Sequence, residues 1–307
     1  MVEFIFSETF ITSSIVFSLP ILFAALAALI SNKANILNIN IEGSMSIAAL
    51  TGALTSYYFD SWIIGLVCAV LIGVVMSLCL AMATFKLKAD SMLTGIALNT
   101  FATGATVFTL YQFLGVKGDS SMAPSVVIPN LEIPILSSIP IVGEIVFSQN
   151  ILFYLAVLVA ISFKLLLDKT KLGLYIKAVG YNEAAAKSVG IHPKQIKTIA
   201  LVFCGICAGL GGAYLSMVYL PYFSAGMVGG RGFIGIAAEA MGGGMPGFTV
   251  LFAFLFGAVD YFSVGAQAVL GIPYELLNTL PYIMTVVSLI VYSIIVERSK
   301  RVSKKHD

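Results

Sequence analysis

Long apolar runs separated by short polar gaps set the pattern of this chain. They fall at about 11–30, 37–59, 61–83, 91–113, 150–167, 198–220, 229–245, 247–268 and 277–296. Most reach the roughly 20 residues that an α-helix needs to cross the hydrocarbon layer of a bilayer. The run at 229–245 is shorter and rich in glycine, which reads as a broken or half-embedded element. The pattern predicts an all-α polytopic membrane protein with about nine transmembrane helices, within a range of eight to ten.

One interruption differs from the others. Asp168–Lys197 is long and strongly charged, with six lysines against Asp168 and Glu183, a local charge of +4. A short helix signal sits inside it. Asn182 is a suitable N-cap, Glu183 suits the positive end of a helix, and 183–189 is rich in helix formers. Gly190 can supply the left-handed residue after the helix, and Pro193 blocks its continuation. A helix this short is marginal alone in water and needs a docking surface. The plain alternative is a solvated loop with one frayed turn. A second long interruption, 115–149, carries Pro124, Pro129, Pro134 and Pro140 and no strong helical period. A connection of that length is usually functional or mobile.

Composition agrees with the runs. Of 307 residues, 59% are hydrophobic and only 10% charged, with mean hydropathy +1.00. A soluble domain carries about 25% charge, so no water-soluble surface can be built from this chain. Lys and Arg then set the orientation. If Asp168–Lys197 is cytoplasmic, alternation puts Lys33, Lys86, Lys88 and the basic tail 297–307 on the same side. Only Lys117 and Arg231 of the 17 basic residues then fall elsewhere. The N-terminus is expected outside and the C-terminus inside a bacterial plasma membrane. The first ten residues hold acids and no Lys or Arg, unlike the positive start of a signal peptide. Cys68, Cys79, Cys204 and Cys207 all lie in apolar runs. The C-x-x-C at 204–207 has no histidine nearby and reads as packing.

Polar residues inside apolar runs are the candidates for function, because they are costly there unless they face protein or water. Asn38, Asn40 and Glu42 open the second run; as a helix, Asn38 and Glu42 share one face. Asn99, Thr100 and Thr103 lie mid-run in the fourth. Arg231 and Glu239 sit in the short glycine-rich run, and Asp260 and Gln267 in the next. Each either lines a translocation path or serves as hydrogen-bonding glue between helices. A weak internal echo, G-x-x-x-I-A-A, occurs at Gly43–Ala49 and Gly232–Ala238. Alternation runs the two copies in opposite senses, as in the inverted repeats of many transporters. One membrane domain, 1–307, would then comprise a first repeat at 11–113, the external loop 115–149 and a linking span at 150–167. The cytoplasmic loop 168–197, a second repeat at 198–296 and the tail complete it. No phosphate-cradling G-x-x-x-x-G-K-[ST] loop, metal-ligand spacing or nucleophile elbow is present, so an enzyme reading has little support.

Three stretches carry a family resemblance. Gly173–Ile191, GLYIKAVGYNEAAAKSVGI, resembles the cytoplasmic coupling loop of ABC importer permeases, in particular the simple-sugar, nucleoside (BMP-associated) and branched-chain amino acid group. ILNINIEG at 36–43 is similar to that group's L-N-I-G-x-E-G signature, with Asn40 in place of its glycine, and GGRGFIGIA at 229–237 resembles its G-R-G-F-I-x-I-A stretch. The resemblance implies a type II importer-like permease subunit. It implies that Gly180, Asn182, Glu183, Ala184, Ala185 and Gly190 couple to a separate ABC ATPase subunit. Asn38, Asn40, Glu42, Asn99, Thr103 and Glu239 are the expected path lining. The implied partners are that ATPase, a second permease chain (a homodimer or a paralogue), an extracellular solute-binding lipoprotein and a small uncharged solute such as a nucleoside or simple sugar; nucleic acid is not among them. No cofactor or metal is expected on this chain, ATP being used by the ATPase. The rival reading is an ion-gradient-driven secondary transporter with Glu42, Asp60, Glu239 or Asp260 as carriers.

Overall fold

The computed structural model describes residues 8–131, 149–270, 279, 283, 286, 287 and 290. Among them the regular structure is helical, apart from two isolated antiparallel bridges. The elements are α1 (Glu8–Lys33), α2 (Ile41–Phe59), α3 (Trp62–Phe85), α4 (Ser91–Leu114), α5 (Ile151–Lys169), α6 (Lys171–Tyr181), α7 (Glu183–Ser188), α8 (Pro193–Tyr214), α9 (Arg231–Met241) and α10 (Pro246–Leu270). Among the described residues six helices are long and apolar enough to cross a membrane: α1, α3, α4, α5, α8 and α10. α2, with 19 residues, matches them in length but is more polar. The run at 277–296 lies outside the described residues except for Thr279, Ile283, Val286, Val287 and Ile290, the last four of them helical.

α1 and α8 form the centre. Leu19–Ile30 of α1 is buried on every side, as expected of a helix that is apolar all round. Small residues let the others approach. Gly205 and Gly209, one turn apart on α8, lie against the backbone of α3 at Gly73 and Ala69–Val70. A methyl group added at either glycine would come within 2.6 Å of α3 main-chain atoms. This small-xxx-small packing is common between helices in lipid, where close contact replaces the hydrophobic drive. α3 packs on α8 and α10 packs on α1; α2 packs on α8 and α9 packs on α1.

Of four features set against the pattern read in the sequence, three depart from it and one follows it. Residues 34–40 are not helical, so α2 starts only at Ile41 and Asn38 shares no helix face with Glu42. The glycine-rich run, read as broken or half-embedded, forms only the 11-residue α9, too short to cross a bilayer, in keeping with that reading. The charged loop holds two helices. α6 precedes α7, capped by the Thr170 hydroxyl, which accepts from the Gly173 amide at 3.1 Å. The described part of the long connection is also ordered against the bundle. Its 118–128 segment runs beside 217–225: the amides of Ser120, Ser125 and Ile128 donate to the carbonyls of Phe223, Pro221 and Met217. That pairing covers Leu215–Tyr219, where α8 widens into a π-turn, and the Ser125 hydroxyl donates to the freed Ser216 carbonyl.

Candidate functional site

The starts of α2 and α9 meet inside the bundle. Both helices begin with amide groups that have no partner within the helix, and side chains from elsewhere supply acceptors. At α2 the acceptor is Asn99 of α4: its Oδ1 takes the Gly43 amide at 2.8 Å, while its Nδ2 donates to the Ile39 carbonyl at 3.0 Å. At α9 the acceptor is Glu42 of α2, whose Oε1 takes the Gly230 amide and Oε2 the Gly232 amide, both at 2.8 Å. Gly230 is left-handed, with φ of 81°, and turns the chain into α9. At Gly232 an added methyl would lie 2.6 Å from Glu42 Oε2, so only glycine lets the carboxyl group reach the backbone.

Arg231 points away from this contact. Its guanidinium pairs with the Asp260 carboxylate on α10 at 3.0 Å, both side chains being mostly buried. It also donates to the Met227 carbonyl and lies beside the paired rings of Phe17 and Tyr219, 5.9 and 5.4 Å from their centres. The four residues Gly230–Phe233 therefore act separately. Gly230 makes the turn, Arg231 the ion pair and Gly232 the close approach, while Phe233 forms part of a cavity wall.

That cavity has a volume of about 590 Å³. Glu42, Gly43 and Ser46 line it from α2, Asn99, Thr100, Thr103 and Thr106 from α4, and Ala225, Gly226 and Phe233 from the segment leading into α9. Asn99 lies about 12 Å into α4 at 1.5 Å per residue, well inside the bilayer-spanning part of the bundle. The cavity walls offer amide and hydroxyl groups beside one aromatic face. A larger cleft of about 640 Å³ adjoins it at Thr106, between α2 and α4, with walls such as Leu50, Leu54, Tyr58 and Phe113. The first cavity gathers carboxyl, amide and hydroxyl groups from α2 and α4, whereas the polar groups of the larger cleft are the hydroxyls of Thr51, Thr55, Tyr58, Thr106 and Thr109.

Of the expected path residues, Glu42, Asn99 and Thr103 come together at the cavity. Asn38 and Asn40 stand behind it, buried among protein atoms: Asn38 donates to Cys204 Sγ and accepts from the Asn40 amide, and Asn40 donates to the Ser44 hydroxyl, each at 3.0 Å. Glu239 is elsewhere, near the other end of α9, where it accepts from Asn32 of α1. Asn32 and the Arg231–Asp260 pairing were missed in the sequence. Two opposite charges, each isolated in an apolar run, were the signal for that pair.

The expected coupling residues lie together at one end. Asn182 caps α7, its Oδ1 taking the Ala185 amide at 3.0 Å; Gly190 follows with φ of 85°. Glu183, Ala184 and Ala185 are exposed, with Glu183 paired to Lys197 at 2.7 Å, whereas Ala186 is buried. Gly180 faces inward from α6, where any side chain would overlap the Lys33 carbonyl at the end of α1. Tyr181 and Val189 beside α7 are 96% and 76% exposed, an apolar surface that no described residue covers.

Membrane-length helices beside an open cavity that carries polar groups, with a separate exposed helix at one end, define a multi-pass membrane permease. The model of the branched-chain amino acid transport system / permease component family matches residues 10–290, and the chain belongs to that family. It is similar to the nucleoside ABC transporter permease protein NupC of Lactococcus lactis, 30% identical over 93% of this chain and 92% of that one. The guanosine ABC transporter permease protein NupQ of Bacillus subtilis is 30% identical over 91% and 90% of the two chains. The putative glucose ABC transporter permease protein TsgC13 of Haloferax volcanii is 29% identical over 92% and 91%. No solved structure matches. Among the described residues no group of three His, Cys, Asp or Glu side chains is placed to hold a metal.

Proposed function

We propose that this chain is the membrane-spanning permease subunit of an ATP-driven importer for a nucleoside or simple sugar. The observation that carries this reading is the 590 Å³ cavity, whose walls combine amide and hydroxyl groups with the Phe233 ring. Hydroxyls and amides match the edges of an uncharged sugar, and a ring face suits a base, so the nucleoside is favoured over the sugar. Relatives named for nucleoside and guanosine transport support the same choice.

In this reading α7 and the exposed Tyr181 and Val189 receive a separate ABC ATPase, which binds and hydrolyses the ATP. A second permease chain, identical or paralogous, completes the path, and an external lipoprotein delivers solute. The end carrying α6 and α7 is cytoplasmic, the N-terminus is outside, and the chain crosses about nine times. An inverted repeat relating α1–α4 to α8 and the helices after it is supported by the matched packing of α3 on α8 with α10 on α1, and of α2 on α8 with α9 on α1. Of the four acids that a gradient-driven carrier could use, three are engaged, Glu42 with two backbone amides, Asp260 with Arg231 and Glu239 with Asn32, and the fourth, Asp60, lies exposed at the end of α2.

The test is uptake. The chain is reconstituted in proteoliposomes with an ABC ATPase and a solute-binding lipoprotein from the same organism, and radiolabelled guanosine, uridine and galactose are offered. ATP-dependent accumulation of a nucleoside, lowered by Asn99→Leu more than the folded protein is lowered, is the expected result. Accumulation driven by an ion gradient without ATP would overturn it.

A further inference from the structure

A groove of about 840 Å³ lies outside the cavity, between α3 and α8, at the end of the bundle that carries α7. Its walls include Leu78 and Met82 of α3 and Ile199 of α8, all exposed. Its rim is Lys86, Lys88 and Lys194, also exposed. Lys194 is held in place by the Phe85 carbonyl at 3.2 Å. None of the three lysines forms an ion pair with a described carboxylate.

The apolar wall does not stop at the groove. Val67, Leu71, Val75, Leu78 and Met82 are all exposed and repeat at four-, four-, three- and four-residue steps, so they share one face of α3. That face runs about 22 Å into the membrane-spanning part of the bundle. An unbroken apolar track that ends on three cations at the membrane boundary has the polarity of a phospholipid. We propose that this groove binds an anionic phospholipid, its phosphate among Lys86, Lys88 and Lys194 and one acyl chain along the α3 face. A cytoplasmic protein can reach the lysines but not the track below them, which favours the lipid over the ATPase as occupant. The proposal goes beyond the transport reading. That reading only decides that the lipid belongs to the cytoplasmic leaflet, where anionic headgroups draw basic side chains.

Native mass spectrometry of the full chain, released from detergent with added phosphatidylglycerol or phosphatidylcholine, tests this without any transport step. Wild type is expected to retain phosphatidylglycerol in preference to phosphatidylcholine. The triple variant Lys86→Gln/Lys88→Gln/Lys194→Gln should lose that retention by on the order of a hundredfold, about fivefold per lysine. The triple Lys→Arg variant should keep it, which separates loss of charge from loss of fold; a Gln variant at Lys169, Lys171 and Lys177 should also keep it. Three results would overturn the proposal. They are equal retention of the two lipids, displacement of the lipid by soluble glycerol phosphate, and a triple Gln variant that loses the ATPase but still holds phosphatidylglycerol.

Discussion

At the scale of single residues, Arg231 and Asp260 show what a bilayer interior demands. Each charge is costly alone in an apolar run, and the pairing offsets that cost. Their side chains are 13% and 11% exposed. Breaking such a pair leaves a buried charge, at a cost of roughly 3–5 kcal/mol, whereas replacing both partners by apolar groups is often neutral. Arg231→Met is therefore expected to lower the detergent melting temperature sharply. Arg231→Met/Asp260→Leu should recover most of the loss, and a double variant no more stable than the single one would show that the pair is not what holds α9 to α10. The sequence revealed the two charges but not their pairing, because 28 residues and a helix break lie between them. Nor did it reveal the partners of Glu42. Those are backbone amides, which no side-chain pattern records.

Among the elements, α7 was legible and α6 was not. Asn182, Glu183 and Gly190 follow the chemistry of helix ends closely enough to be placed from letters alone. α6 also left a trace, since Leu172, Ile176 and Val179 repeat at helical spacing and Ile176 and Val179 are buried. Lysines interleaved with them hid the face. Residues 37–40 read as helix because they are apolar around their asparagines, yet the Asn38 side chain takes the Asn40 amide locally and holds the segment out of the helix. α7 also separates two neighbouring alanines. Ala185→Trp adds bulk to an exposed site, so membrane levels should stay near normal while the ATPase no longer co-purifies and uptake is lost. Ala186→Trp overfills a buried site and should cost about 1–3 kcal/mol or more, lowering the amount of folded protein itself. Normal ATPase retention and uptake for Ala185→Trp would sink the docking role.

At the scale of the whole molecule, hydropathy alone gave the class and most of the spans, because the bilayer fixes helix length from outside the chain. It could not give the glycine-lined contacts at the centre or the pairing of 118–128 with 217–225, both of which are main-chain matters. The orientation rests on the distribution of Lys and Arg and has a direct check. With single cysteines at Ser121 and Lys169 in a background lacking the native four, a membrane-impermeant maleimide applied to intact cells should label the first and spare the second. Labelling at Lys169 would reverse the orientation.

α9 is fastened near both ends to different neighbours: to α2 through Glu42 at its start, and to α1 through Asn32 at Glu239. Between these ties Gly235 rests on α1 at Ala24 and Ala25, so α9 is coupled to α1 along its length. A shift of α1 relative to α2 would therefore carry α9, and Phe233 with it, along the cavity wall. The end of α1 also lies under Gly180 of α6, so the α6–α7 end and the cavity share one lever. Glu239→Leu cuts the tie to Asn32. The expected outcome is faster amide hydrogen exchange through 226–236 with the rest of the bundle unchanged, and exchange there equal to wild type would mean that α9 is held by packing alone.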